Sequence, residues 1–136
     1  MLLIDRVSDY GDEHIEVAAR LAPQHWLACE RGIPCWVGLE LMAQTVSAFS
    51  GLELRAMGKP PRIGLLLGTR SYQAHAPYFP AGVELTVFAK LAWRDAGGLG
   101  VFDCVVREGG RELARARVKG YAPEEIDTYL QADLDG

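Results

Sequence analysis

Residues 36–51 form a long, almost uninterrupted apolar stretch that contains no Lys or Arg. Its apolar side chains would cover a helix nearly all the way round, and a helix of that kind is buried inside a protein. The predicted helix ends near Met57-Gly58, because Lys59-Pro60-Pro61 cannot continue it. The residues before it, positions 23–34, are predicted to form a loop, with Pro34 just before or at the helix start.

Alternating apolar and polar residues on both sides of the helix predict a β-sheet. Before the helix, positions 14–21 alternate, and His14 falls on the polar face. After the helix, the pattern predicts strands at 62–74, 83–94, 99–108 and 111–121. Glycine pairs at 97–98 and 109–110 separate the last three strands, which therefore form an antiparallel meander.

Three finer expectations follow from the same pattern. Residues 1–7 form an apolar segment that leads into the fold, and residues 8–12 form a turn. The alternation of the 83–94 strand places Trp93 on its apolar side. In the last strand the small residues are expected to face the helix, namely Ala114, Ala116 and Val118.

Together these elements predict an α+β fold, in which a curved antiparallel sheet of five or six strands wraps one long buried helix. The 136 residues suffice for one domain, expected at 1–122, and not for two. The acidic segment 123–136 is either a short docked helix or a frayed end. A sheet of this kind leaves its edges uncovered, and such edges favour symmetric pairing into a dimer.

The composition of the chain limits the classes of function that it can have. The net charge of −4 comes without a basic cluster, which argues against nucleic acid binding. Neither a membrane-spanning apolar run nor a signal peptide is evident, so a cytoplasmic location is expected. The cysteines form no C-x-x-C pair and are expected to be reduced thiols: Cys29, Cys35 and Cys104. The spacing of His25, Cys29 and Cys35 matches no common zinc pattern.

Glu40 is the one ionisable residue in the apolar helix. A carboxylate in apolar surroundings is usually paired or has a raised pKa that serves a function, although one near a helix N-terminus is also stabilised by the helix dipole. Gln44 lies one turn further along the same face. His25 lies in the loop beside Trp26, where it is either a solvated surface residue or a residue that takes part in the chemistry.

Four stretches of the sequence resemble hotdog-fold 3-hydroxyacyl-[acyl-carrier-protein] dehydratases. Leu2-Leu3-Ile4-Asp5-Arg6-Val7 is similar to the opening run of that family, and Leu39-Glu40-Leu41-Met42-Ala43-Gln44 resembles its helix signature. Pro77-Tyr78-Phe79-Pro80-Ala81-Gly82 is similar to its proline-glycine turn, with one residue inserted. The helix entry Gly32-Ile33-Pro34-Cys35-Trp36-Val37-Gly38 resembles the subgroup from aryl polyene pigment clusters.

The resemblance implies that the chain removes water from a 3-hydroxyacyl thioester on acyl carrier protein, giving the trans-2-enoyl thioester. It implies His25 as the base and Glu40, from the other subunit, as the acid, with Gln44 orienting Glu40 or the leaving water. Backbone N–H groups at the helix start would polarise the thioester carbonyl, at Cys35, Trp36 and Val37. No cofactor and no metal is implied. The partners would be the carrier protein and a second hotdog subunit, identical or different.

Departures from the family keep alternatives open. His25 lies fifteen positions before Glu40, and Cys35 stands where the common family has glycine. A hotdog thioesterase would use a helix carboxylate on the same thioester, and a non-catalytic subunit of a heterodimer is a third possibility. A Cys-His acyl-transfer site is less favoured, because the family has no nucleophile at Cys35. Trp26 and Trp36 are expected to pack. A carrier protein is expected to dock at a basic patch formed by Arg55, Lys59, Arg62 and Arg70.

Overall fold

The computed structural model of the protein describes residues 2–60 and 65–121. These residues form one helix, α1, at Val37–Ala56. They also form eight strands: β1 Arg6–Tyr10, β2 His14–Ala19, β3 Ile33–Pro34, β4 Leu65–Ala74, β5 Tyr78–Phe79, β6 Leu85–Arg94, β7 Leu99–Glu108 and β8 Arg111–Tyr121. The α+β composition expected from the sequence is confirmed.

Six strands form one antiparallel sheet in the order β1-β2-β6-β7-β8-β4. The neighbours β6, β7 and β8 are the predicted meander. Strand β4, which follows the helix, pairs with the far side of β8, so β1 and β4 are the two edges. Strands β3 and β5 pair separately as a short second sheet, with Ile33 opposite Phe79.

The core lies between α1 and the inner face of the six-stranded sheet. The predicted alternation is confirmed, since the inward positions are buried: Ile15, Val17 and Ala19 on β2, Leu85, Val87 and Ala89 on β6, Phe102, Cys104 and Val106 on β7, and Ala114, Ala116 and Val118 on β8. Phe49 of α1 is buried among them and meets Phe102 edge-on at 5.5 Å between ring centroids. Such aromatic pairs add roughly 0.5–1.5 kcal/mol beyond their buried area.

The end of α1 is set by Gly58, as the sequence predicts. Gly58 has a φ of +69°, in the left-handed region that favours glycine. The Lys59 N–H donates to the carbonyl oxygen of Leu54 at 2.9 Å, which closes the last turn. This is the usual geometry of a glycine-terminated helix.

Two of the finer expectations are wrong. Residues 8–10 belong to strand β1, where Tyr10 pairs with Ile15, and the turn follows at Gly11, whose N–H donates to the His14 carbonyl. Trp93 is 53% exposed, because the register between β6 and β7 shifts between Leu91 and Trp93. A shift of one residue moves a side chain to the other face of a sheet.

Two further observations complete the fold. No helix in the described ranges is long and apolar enough to cross a lipid bilayer. The acidic segment 123–136, for which the sequence favours a docked helix or a frayed end, lies outside the described residues.

Candidate active site

A groove runs between the N-terminal segment and the face of α1 that the sheet leaves uncovered. Its volume is about 510 Å³, and it is lined by Leu2, Ile4, Asp5, Arg6 and Val7 on one side and by Glu40, Ala43, Gln44, Ser47 and Ala48 on the other. Side chains three and four positions apart share one face of a helix, which explains the spacing of the second set. The described residues therefore do not cover the helix on all sides.

Glu40 and Gln44 are joined in this groove. The Gln44 side-chain N–H donates to Glu40 Oε1 at 2.9 Å. The Gln44 Oε1 accepts from the backbone N–H of Leu3 at 2.7 Å. A backbone N–H can only donate, so the oxygen of the Gln44 amide must face Leu3 and its nitrogen must face Glu40. The N-terminal segment thus fixes the amide that holds the carboxylate.

Glu40 differs from expectation in its surroundings. The sequence places it in an apolar helix, whereas in the single chain it is exposed. The physical reason is that the sheet covers the opposite face of α1, where Val37, Leu41 and Met42 are buried.

His25 lies in the loop before β3 and is half-buried. Its backbone N–H donates to the Ala22 carbonyl at 2.9 Å, and its carbonyl accepts from the Ala28 N–H at 2.8 Å. Its ring nitrogen Nδ1 accepts from the backbone N–H of Leu27 at 3.1 Å. The ring stacks on Trp26, with 6.1 Å between centroids and 22° between planes. The loop therefore holds the imidazole in one orientation.

His25 lies in the loop before β3, whereas Glu40 lies on α1. The groove that holds Glu40 is lined by the N-terminal segment and α1 and does not include His25. Gln44 is the predicted site residue that hydrogen-bonds to Glu40 within the described chain.

The start of α1 offers fewer free donors than the sequence predicts. The Cys35 N–H is occupied, because it donates to the Pro77 carbonyl at 2.9 Å. The N–H groups of Gly38 and Leu39 donate to the carbonyls of Cys35 and Trp36 at 3.0 and 3.1 Å. Among the described residues, the N–H groups of Trp36 and Val37 are left without a partner. These two remain available to an anionic oxygen.

Tyr72 is a site-adjacent residue that the sequence pattern does not reveal. Its hydroxyl donates a short hydrogen bond to the Cys35 carbonyl. Burial, and then the neighbouring Cys35, raises the pKa of Tyr72 to about 12, so the phenol keeps its proton at neutral pH. A register shift between Arg70 and Gln73, with Ser71 at a φ of +57°, accompanies this placement. A bulge of this kind has no simple sequence signal.

The two tryptophans near the site are largely exposed instead of packed into the core as expected, although Trp26 stacks on the His25 ring. Trp26 is 72% exposed and Trp36 is 56% exposed. Each is adjacent in sequence to a candidate site feature, Trp26 to His25 and Trp36 to Val37. Large exposed aromatic side chains are typical of surfaces that contact a partner.

The cysteines and possible metal ligands show no clustering. Cys29 is exposed, Cys35 is half-buried and Cys104 is buried, and all three are free thiols. Burial raises the pKa of the Cys104 thiol to about 12. Within residues 2–60 and 65–121, no group of three or more His, Cys, Asp or Glu side chains is arranged to hold a metal ion.

Comparisons with known proteins give one family match and several similar solved structures. A family model described as ApeP-like, ApeP dehydratase, matches residues 1–131. No curated protein sequence matches the chain. The solved dehydratase heterocomplex ApeI:P from Xenorhabdus doucetiae is similar at a TM-score of 0.85 and 23% identity, over 96% of this chain and 89% of that one.

Solved thioesterases are similar as well. A thioesterase mutant from Staphylococcus aureus matches at a TM-score of 0.69 and 11% identity, over 87% of this chain and 92% of that one. A thioesterase from Haemophilus influenzae matches at a TM-score of 0.66 and 16% identity, over 85% of this chain and 76% of that one. At these identities the solved structures share the fold alone, and the fold is the hotdog fold.

Proposed function

Because the chain belongs to the ApeP-like dehydratase family, whose model matches residues 1–131, we propose that it dehydrates a 3-hydroxyacyl thioester to the trans-2-enoyl thioester. The observation that carries this proposal is the exposed Glu40 carboxylate, held by Gln44 in a groove of about 510 Å³. A positioned carboxylate beside an open groove can move a proton on a bound thioester.

The reaction needs three things from the protein. A base must take the proton on C2, the hydroxyl on C3 must leave as water, and the thioester oxygen must be stabilised as negative charge develops. We assign Glu40 and His25 as the catalytic pair, and Gln44 as the residue that orients Glu40. The N–H groups of Trp36 and Val37 are the donors for the thioester oxygen, with Cys35 beside them. Each positioned acid or base contributes roughly a hundredfold or more.

We propose that the catalytic pair combines two subunits, because His25 is not among the residues that line the groove of Glu40. The similar solved structure from Xenorhabdus doucetiae is a heterocomplex, ApeI:P. We propose that this chain pairs with another hotdog subunit, either a different chain or a second copy of itself. The exposed Leu2, Trp26 and Trp36 favour a covered surface in that assembly.

Acyl carrier protein is the proposed donor of the thioester. The basic patch expected to bind it is described only in part: Arg55 and Lys59 are exposed, Arg62 lies outside the described residues, and the side chain of Arg70 is not described. The carrier protein and the cytoplasmic location, like the aryl polyene pathway, are predictions from the sequence.

Two alternative functions have specific support. The thioesterase structures share the fold, and a thioesterase would release a free acid instead of an enoyl thioester. A non-catalytic subunit of a dehydratase is favoured by the heterocomplex among the similar structures. In that case the partner alone would carry the chemistry, and Glu40 would be dispensable.

A matched pair of carboxylate variants tests the proposal. Glu40→Gln removes the carboxylate and keeps the shape of the side chain, so we expect dehydration to fall at least a hundredfold. Glu53→Gln changes a carboxylate on the same helix that pairs with Arg94 at 2.8 Å, and we expect its rate to stay near that of the wild type. Enoyl thioester formation is measured on the assembly that the chain forms in its native host. Equal rates for both variants would remove Glu40 from the mechanism.

A further inference from the structure

The opening run of the chain, residues 2–7, forms one wall of the groove whose other wall, on α1, carries Glu40. Leu2 and Ile4 line the groove, whereas the side chain of Leu3 between them is buried in the core and is 6% exposed. The core therefore anchors this segment at Leu3. The backbone of Leu3 contacts the helix, because its N–H donates to the Gln44 side chain.

Two further hydrogen bonds hold the segment on the C-terminal side of Leu3. The Asp5 N–H donates to the Ala18 carbonyl at 2.9 Å. The Asp5 carboxylate accepts from the Arg20 N–H at 2.8 Å. Both contacts tie the segment to β2 and the residue that follows it. The Leu3 N–H is therefore a donor with a fixed position and direction.

This donor fixes which end of the Gln44 amide faces Glu40. A glutamine amide has an oxygen and a nitrogen of similar size, and the side chain can present either one. The Leu3 N–H donates to Gln44 Oε1 at 2.7 Å, which selects the orientation in which the Gln44 nitrogen donates to Glu40 Oε1 at 2.9 Å. The reverse orientation would place two donors together at Leu3 and two oxygens together at Glu40. Both hydrogen bonds would then be lost.

We propose that Leu3 is a positioning residue of the reaction, whose backbone N–H holds the Glu40 carboxylate in place through Gln44. The inference rests on the proposed function and gives the opening run of the chain a part in the active site. Leu3 does not line the groove, so its N–H acts through Gln44 and not on the substrate. Such support matters because a catalytic group must be held within about 0.5 Å of its productive geometry.

Replacing the backbone N–H of Leu3 with an ester oxygen tests this role. The replacement uses leucic acid, the hydroxy acid analogue of leucine, which removes the donor and keeps the side chain. We expect kcat for dehydration to fall roughly tenfold or more, because misplacing a reacting group by about 1 Å can cost roughly a hundredfold. KM should stay nearly unchanged, since Leu3 does not line the groove.

Leu91 provides the matched control. Its N–H also donates at 2.7 Å, to the Glu13 carbonyl, and Leu91 does not line the groove. The same ester at Leu91 removes one hydrogen bond of the same length and should leave kcat near the wild-type value. Equal kcat values for the two ester variants would overturn the proposal.

A positioning role also requires that the effect of Leu3 depend on Gln44. Gln44→Ala removes the amide, so the Leu3 ester should lower kcat no further when it is made in that variant. A contribution of the Leu3 N–H to the fold alone would lower kcat by the same factor with or without Gln44. That additive result would contradict the inference.

Amide hydrogen exchange tests the contact without any activity assay. In Gln44→Ala the exchange of the Leu3 N–H should accelerate roughly tenfold, as expected for the loss of one hydrogen bond. The Asp5 N–H is the internal reference, because it donates to Ala18 and should keep its exchange rate. An unchanged rate at Leu3 would show that Gln44 does not hold this donor, and the inference would be refuted.

These outcomes separate the inference from the proposed function. An active wild type whose kcat is unaffected by the Leu3 ester would contradict the role of Leu3 and leave the dehydratase standing. A wild-type assembly that dehydrates no 3-hydroxyacyl thioester would contradict the function, and hydrogen exchange would still decide the contact between Leu3 and Gln44.

Discussion

At the scale of single residues, the start of α1 depends on the absence of one methyl group. A Cβ at Gly38 would lie 2.3 Å from the Tyr72 hydroxyl and 3.1 Å from the Phe79 ring. That hydroxyl donates to the Cys35 carbonyl, and the Cys35 N–H donates to Pro77. Gly38 thus permits the contacts that position the free N–H groups of the helix.

Substituting this glycine should be destabilising. Gly38→Ala forces Tyr72 or the helix to move, and we expect it to lower the free energy of unfolding by about 1–3 kcal/mol, as overpacking does. Gly51→Ala is the matched control on the same helix, where a Cβ meets nothing within 4 Å. It should raise the free energy of unfolding by roughly 0.5–1 kcal/mol. Urea denaturation measures both, and a Gly38→Ala variant as stable as the control would show that the contact is not tight.

Part of this residue-level picture can be predicted from the sequence. The four-residue spacing of Glu40 and Gln44 predicts their contact, which the structure shows. The third member, Leu3, cannot be predicted in this way, because its hydrogen bond to Gln44 spans 41 positions. The hydrogen bond from Leu27 to the His25 ring cannot be predicted either, since it depends on the path of the loop backbone.

At the scale of elements, alternation predicts the strands whose two faces differ most. Strands β2, β6, β7 and β8 each bury one face against α1, and the sequence shows them clearly. Strand β1 is exposed throughout, so it has no buried face to create a pattern. The short β3 and β5 form only because each pairs with the other, at Ile33 and Phe79. Pairing between distant segments has no local signature.

The junction of β4 and β8 contains a charge cluster whose effect depends on pH. Glu112 lies beside Arg115 and the His75 ring, and hydrogen bonds from Arg115 first, and then His75, lower its pKa to about 2. A carboxyl group with a lowered pKa in the folded state stabilises the protein above its unfolded pKa, near 4.5. That contribution is lost as the pH falls through about 2.

Glu112→Gln should therefore be less stable than the wild type at neutral pH, and the difference should shrink as the pH falls below about 4.5. Because the cluster is exposed and screened, the expected difference is below about 1 kcal/mol. Urea denaturation of both proteins across this pH range, at low and high salt, is the measurement. A difference that persists unchanged at acid pH would assign the effect of Glu112 to packing.

At the scale of the whole molecule, the described chain exposes the groove around Glu40. The proposed reaction needs that groove to be shielded from water. Glu40 is exposed in its groove. Three large apolar side chains are also largely exposed: Leu2 at 77% in the N-terminal segment, Trp26 at 72% in the loop beside His25, and Trp36 at 56% at the helix start. Enclosing a site strengthens its electrostatic interactions by excluding water. A second hotdog subunit supplies the simplest cover.

We therefore expect the chain to be found as a dimer, with itself or with a second hotdog subunit, and to form composite sites. Light scattering at micromolar concentration should give a mass above that of one chain, after purification from the native host. For a homodimer, mixing Glu40→Gln with His25→Ala chains should restore activity, because hybrid dimers contain one site with both residues intact. A monomer, or hybrids without restored activity, would contradict composite sites.

The central claim is that water is lost from an acyl chain that stays attached as a thioester. Mass spectrometry of a 3-hydroxyacyl-carrier protein tests it directly, after incubation with the assembly that contains this chain. We predict a product lighter by one water and still bound to the carrier, formed by the wild type and not by Glu40→Gln. Release of the bare carrier with a free hydroxy acid would instead identify a thioesterase, and an unchanged mass would contradict the dehydratase.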